Sequence, residues 1–224
     1  MTVDTNGRTR LRILIGCEFS GTVRDAFIRR GHDAVSCDLL DTLSPGPHYK
    51  GDVRDIINDG WDMAIFHPPC TYLARSGLHW NKRVAGRKNL TVEGLEFVQL
   101  LMRSPIPRIA LENPVGAISR YIRKPDQIIQ PYDFGHDASK STCLWLRKLP
   151  KLQPTKRFAG RMVEWPPGSG EMVERWSNQL DSGQSNLANT SDRWAIRSVT
   201  YPGIAEAMVE RWGGLSPLSR IHIP

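Results

Sequence analysis

The sequence predicts an α/β chain, with a mostly parallel, doubly wound sheet and helices on both of its faces. Three observations carry that prediction. Short apolar runs of strand length alternate with segments of helical periodicity from residue 11 onward. The runs are apolar throughout rather than at every second residue, as strands covered on both faces must be. The residues with chemical potential cluster at the carboxyl ends of those runs, where open α/β sheets build their sites.

Residues 11–16 (LRILIG) form the first run, which turns through 17–21 into a helix whose Val23, Ala26 and Phe27 share a face. Gly31 suits the end of that helix, and 32–40 (HDAVSCDLL) reads as a second strand closing on Asp38. After Asp52, VRDIIND reads as a short helix. Residues 61–66 (WDMAIF) are a third strand, which Pro68 and Pro69 must end. Thr91-Val-Glu-Gly has the pattern of a helix cap and opens a helix over 91–104, with Leu95, Val98, Leu101 and Met102 at helical spacing. Residues 108–111 give another buried strand that runs into Glu112. QIIQPYDFG and STCLWLRKL suggest two further strands, and PGIAEAMVERWG a last helix with Pro202 in its first turn and Gly213 at its stop. Residues 151–192 are rich in Pro, Gly and polar side chains and read as a loop-rich or mobile insert. The chain thus divides into a core at 1–149, an insert at 150–192 and a return to the core at 193–224.

Hydrophobic residues make up 40% of the 224 and charged residues 24%, and no apolar run approaches the roughly 18 residues that mark a bilayer span. No membrane partner is expected. The basic amino end runs into LRILIG, which stops at Gly16 and is followed by Glu18 rather than a small-residue cleavage site, so a strand is expected and not a signal peptide. Cys17, Cys37, Cys70 and Cys143 lie far apart with no CxxC pair, which suggests reduced cytoplasmic thiols and no metal site. The formal charge of +7 suits a polyanionic partner as well as plain solubility.

The most informative segment is HPPC at 67–70. Two prolines fix the backbone at a strand end and present the Cys70 thiol at the sheet edge. A thiolate there can add to C6 of a pyrimidine and make C5 nucleophilic. The addition calls for a proton near N3, which a partly buried carboxylic acid with a raised pKa supplies; Glu112, at the end of the next strand, is the candidate.

FSG at 19–21, PPC at 68–70 and LENP at 111–114, in that order, resemble the cofactor loop, nucleophile loop and Glu-Asn motif of the cytosine-C5 DNA methyltransferases. FGHDASKSTCLWL and RSVTYPGIAEAM are similar, more faintly, to two later segments of that family, so the resemblance spans nearly the whole chain, as a compact, phage-like variant. It implies an S-adenosylmethionine-dependent methyltransferase sheet and transfer to C5 of cytosine in double- or single-stranded DNA, by a monomer in the cytoplasm of a bacterial or phage-infected cell. It implies catalytic roles for Cys70, Glu112, Asn113 and Lys140. It implies cofactor contacts for Phe19, Ser20, Gly21 and Pro68, ribose recognition by Asp38, adenine contact by Asp52, and a place for Arg197 and Ser198 at the cofactor's methionine end. The target-recognition region shrinks to about 40 residues, well below ordinary domain size, which predicts short or relaxed sequence preference.

The chain departs from the family's pattern at four places. Val23 replaces a Gly, Pro114 replaces a Val, and Ala138, Lys140 and Thr142 replace Gln-x-Arg-x-Arg. Arg197 stands where the last motif has Asn. A guanidinium beside a sulfonium is unfavourable unless an anion offsets it. One such anion is a carboxylate on the donor, so carboxy-S-adenosylmethionine and a carboxymethylcytosine product are also expected readings. HWNKRVAGRK at 79–88 reads as a basic loop that sets Lys82, Arg83, Arg87 and Lys88 on phosphates, or as an ordinary exposed loop. Two other functions compete: amino-group methylation of DNA, whose enzymes also use Pro-Pro after a strand, and a catalytically silent nucleic-acid-binding module whose seven tryptophans stack on bases.

Overall fold

The computed structural model describes residues 10–188, 190 and 193–214. Along the chain it contains β1 (Arg12–Gly16), α1 (Thr22–Arg29), β2 (Asp33–Asp38), β3 (His48–Lys50), α2 (Val53–Ile56), β4 (Met63–Phe66), α3 (Arg75–Leu78), α4 (Arg87–Arg103) and β5 (Arg108–Pro114). There follow α5 (Ala117–Tyr121), β6 (Gln127–Ile129), β7 (Thr142–Arg147), β8 (Arg161–Glu164), β9 (Met172–Arg175), α6 (Arg193–Ser198) and α7 (Pro202–Trp212).

Seven strands form one sheet in the order β3-β2-β1-β4-β5-β7-β6. Neighbours from β3 to β5 pair in parallel, and β7 runs antiparallel to both β5 and β6. The sheet is therefore mostly parallel, as predicted, and mixed through the reversal of β7 alone. Two apolar layers hold it between helices. Ile13, Ile15, Met63, Ile65 and Ala110 face α1 and α7, through Phe27, Met208 and Trp212. The intervening residues Leu14, Ala64, Phe66 and Leu111 face α4 and α5, through Val98, Leu101 and Ile118. The alternation follows from the two-residue period of a strand, and it explains why these strands are apolar on both faces.

Several local expectations change. Thr91 does not cap a helix: α4 begins four residues earlier at Arg87, behind Gly86 at φ 75°, and the Thr91 hydroxyl donates to Tyr72 O at 3.0 Å. The segment 79–88 is not an open loop, because His79–Lys82 is a 3-10 turn and α4 takes over at Arg87. QIIQPYDFG is a strand for only three residues, after which Pro131–Asp133 forms a 3-10 turn. In the expected loop-rich insert, β8 and β9 form an antiparallel hairpin, tied to the rest of the chain by named contacts. Trp176 stacks on Tyr132 with ring centroids 4.0 Å apart, and Asn178 and Ser139 exchange two hydrogen bonds of 2.9 Å. Among the described residues no helix is long and apolar enough to cross a membrane.

Candidate active site

β1 and β4 are adjacent, yet their onward connections diverge to opposite sides, which makes their carboxyl ends the switch point where open α/β sheets place their crevice. The first wall is the turn after β1. Cys17 takes a left-handed φ of 59°, which lets Glu18 fold back beneath α1. Glu18 Oε1 accepts from Val23 N at 2.8 Å and from Ser20 Oγ at 3.0 Å, while its buried Oε2 has no hydrogen-bond partner among the described residues. Gly21 holds φ 76° at the amino end of α1, where a side chain would collide with Arg24 and Ser44. Phe19 is buried, with its carbonyl accepting from Leu43 N and its ring 5.8 Å from that of Trp194 on α6. That contact draws the carboxyl-terminal part of the chain to the first loop.

Asp38 ends β2 partly exposed, and one of its oxygens accepts from Leu40 N at 3.0 Å. The loop beyond it is strapped by Arg24. This fully buried guanidinium pairs with Asp25 at 2.7 Å and donates to Ser36 Oγ, Thr42 Oγ1 and Ser44 O. A buried charge is tolerated only with such partners. Asp52 turns out to cap α2: its carboxylate accepts from Arg54 N at 2.9 Å and ion-pairs with the Arg54 side chain. The adenine contact expected of Asp52 thus competes with a cap and a salt bridge it already makes.

The second wall joins the ends of β4 and β5. His67 N donates to Gly16 O at 2.9 Å, continuing the β1–β4 ladder by one residue, and the prolines then break it. Cys70 lies in the turn that follows, as an exposed residue. The turn is pinned from within by Leu73 N and Ala74 N, which both donate to Cys70 O. From β5 it is held by Ala117 N donating to Leu73 O and Arg75 N donating to Val115 O. Two side-chain ties cross between the strand ends. His67 Nδ1 lies 2.9 Å from Glu112 Oε2, and Asn113 Nδ2 donates to Pro68 O at 2.7 Å. Asn113 is 2% exposed and its amide holds the proline turn, so the Pro68 carbonyl is engaged by it.

Lys140 enters from the loop before β7, and its Nζ donates to Arg197 O at 2.8 Å. Crowding by protein atoms, then the Glu112 charge, push the Cys70 thiol above its ordinary pKa, while Lys140 and Arg197 pull it down. Cys70 thus feels the charges of Glu112, Lys140 and Arg197 together. The raised pKa expected for Glu112 is corrected. Burial raises it, but the His67 hydrogen bond and the Lys140 charge outweigh burial and hold the carboxyl below its ordinary value. Ser198 is turned away, with Oγ donating to Trp194 O at 2.7 Å.

Of the four basic residues in 79–88, Lys82, Arg83 and Lys88 are exposed. Arg87 is turned inward: its guanidinium lies 4.8 Å from the Tyr72 ring centre and donates to Thr71 O, bracing the turn after Cys70. Sequence reasoning missed Glu18, Arg24 and the pairing of His67 with Glu112. Among the described residues no group of three or more His, Cys, Asp or Glu is placed to hold a metal ion. The arrangement offers a nucleophile, a carboxylate–imidazole pair and two cations at one sheet edge. Comparison with known protein families and with curated proteins finds no match to this chain.

Proposed function

We propose that this protein transfers a one-carbon-type group from S-adenosylmethionine to C5 of cytosine in DNA, through a covalent bond between Cys70 and C6, on a Rossmann-like methyltransferase sheet. The observation that carries this reading is the pair of ties between strand ends, His67 to Glu112 and Asn113 to Pro68, beside an exposed Cys70.

The chemistry follows from the groups present. Lys140 and Arg197 favour the thiolate of Cys70 against the opposing charge of Glu112. The thiolate adds to C6, the displaced π electrons take up a proton at N3, and the resulting enamine is nucleophilic at C5. C5 then bonds to the donor's electrophilic carbon as that carbon's bond to sulfur breaks and a neutral thioether leaves; loss of the C5 and N3 protons and departure of the thiolate restore the ring. C6 is out of reach inside a stacked duplex, so the base must be flipped or single-stranded.

The crevice after β1 suits the donor. The unpartnered, buried Oε2 of Glu18 fits a cationic group such as the ammonium of the methionine portion, and partly exposed Asp38 fits the ribose hydroxyls. When bound, S-adenosylmethionine supplies an electrophilic carbon on a sulfonium centre. Arg197 has no ion-pair partner among the described residues, which favours a donor bearing a carboxylate and hence carboxymethyl transfer.

The test is covalent trapping on DNA that contains 5-fluorocytosine, with each donor in turn. A protein–DNA adduct mapped to Cys70 supports the reading; no adduct with either donor removes it and leaves amino-group transfer or a silent binding module. Arg197→Asn separates the donors, because it should abolish any preference for the carboxylated one.

A further inference from the structure

Among the described residues His67 is the one imidazole in the candidate site, and its surroundings are specific. Its side chain is 7% exposed and Glu112's is 14%, so the 2.9 Å bond between them is shielded from water. The ring's other nitrogen, Nε2, is buried with no hydrogen-bond partner among the described residues. The charged and titratable groups facing the pair are Cys70 on the turn after β4, Lys140 before β7 and Cys143 on β7, with Arg197 of α6 acting on Cys70. A carboxylate held ionised in this way accepts hydrogen bonds but has no proton to give. The addition to C6 needs a proton at N3, and the imidazole Nδ1, 2.9 Å from the carboxylate, is placed to hand one over.

We propose that His67 is the proton reservoir of the site, a positioning residue that passes its Nδ1 proton to Glu112, which delivers it to N3 of the base. The inference rests on the C5-transfer reading. Before addition the pair holds one proton more than its neutral-imidazole, carboxylate form. As the S–C6 bond forms, the Nδ1 proton moves to the carboxylate and the resulting acid gives it to N3, leaving neutral imidazole, carboxylate and a neutral base adduct. When the thiolate leaves, the N3 proton returns along the same path.

His67→Gln tests the relay, since the amide still donates to Glu112 but carries no transferable proton. Wild-type transfer must slow at alkaline pH as the pair loses its proton. In His67→Gln the single-turnover rate at pH 7.5 should drop by ~10²-fold, the scale of general-acid assistance, and the alkaline limb should move to lower pH by about one unit. A profile of unmoved shape, merely lowered, would make His67 structural and overturn the relay. A second measurement needs no activity: the His67 ring titration followed by NMR should shift to lower pH in Glu112→Gln, by about half a unit or more, because a neighbouring negative charge is lost. An unmoved midpoint refutes the coupling itself. A wild-type chain that forms no adduct with either donor overturns the C5 reading and the relay with it, whatever the titration shows.

Discussion

Gly116→Ala should disable the site without touching any group that carries the chemistry. Gly116 lies at the end of β5, paired across an isolated bridge with Ala74 in the turn that bears Cys70. A methyl group there would sit 2.9 Å from the Leu73 carbonyl carbon and 3.0 Å from Ala74 Cα, and would overlap the Leu73 carbonyl oxygen. Backbone atoms cannot swing aside as a flexible side chain does, so the turn and the strand end must part by about 1 Å. That separation stretches two bonds, Ala117 N to Leu73 O at 2.8 Å and Arg75 N to Val115 O at 2.9 Å. At roughly 1 kcal/mol net for each, and more where a partner is left buried and unpaired, the cost to stability is about 2–4 kcal/mol. A displacement of that size at the nucleophile costs on the order of 10²-fold in rate. Urea denaturation and single-turnover trapping on fluorocytosine DNA measure the two effects. Wild-type stability together with a wild-type trapping rate would refute the claim that the Gly116 bridge positions Cys70.

Other outcomes follow from the same geometry. Alkylation of Cys70 by iodoacetamide should accelerate with pH beyond the range of an ordinary thiol; Lys140→Ala should move that profile to higher pH and Glu112→Gln to lower pH, with opposite shifts contradicting the assigned charges. Neutralising Lys82, Arg83 and Lys88 together should weaken DNA binding and flatten its salt dependence by up to ~3 in log–log slope, whereas Arg87→Ala should change the slope little, because its guanidinium is held on Thr71 and Tyr72. Fluorescence polarisation across a salt series checks both. Trp212→Ala removes a fully buried ring and orphans the Pro150 carbonyl that its Nε1 reaches at 2.8 Å, so thermal or urea unfolding should register a loss of about 3–5 kcal/mol.

The central strands were legible because burial on both faces writes itself as an uninterrupted apolar run: β1 and β4 each sit within the segment predicted for them, and β5 covers its predicted 108–111 and runs on to Pro114. Their ends were legible too, since Pro68 and Pro69 forbid continuation and the carboxyl edge of such a sheet is where polar residues gather. β3 was missed because His48-Tyr49-Lys50 is a short, largely exposed edge strand with no apolar pattern to betray it. The reversal of β7 depends on its pairing with β5, a choice made between residues about thirty positions apart and invisible to local periodicity. Thr91 misled because a hydroxyl followed closely by an acidic residue, Glu93, looks like a cap, while its actual bond runs to Tyr72, far back in the chain.

The site shows the same division. Cys70 and Glu112 stand out by type and position, but their electrostatics come from groups that converge only in three dimensions. His67 reaches Glu112 across 45 residues, and that bond reverses the expected direction of the Glu112 pKa. Arg24 is fully buried and braces the loop after Asp38, through partners that only the fold brings to it. Asp52 kept the bland role of a helix cap, strengthened by Arg54 two residues on.

The most direct measurement is mass analysis of nucleosides from cytosine-containing DNA, single- and double-stranded, after incubation with the protein and either donor, alongside Cys70→Ala. The account predicts a mass gain on deoxycytidine equal to a methyl or a carboxymethyl group, present with the wild-type chain and absent with Cys70→Ala. No gain on either form of DNA, or a gain that persists without the Cys70 thiol, would contradict it.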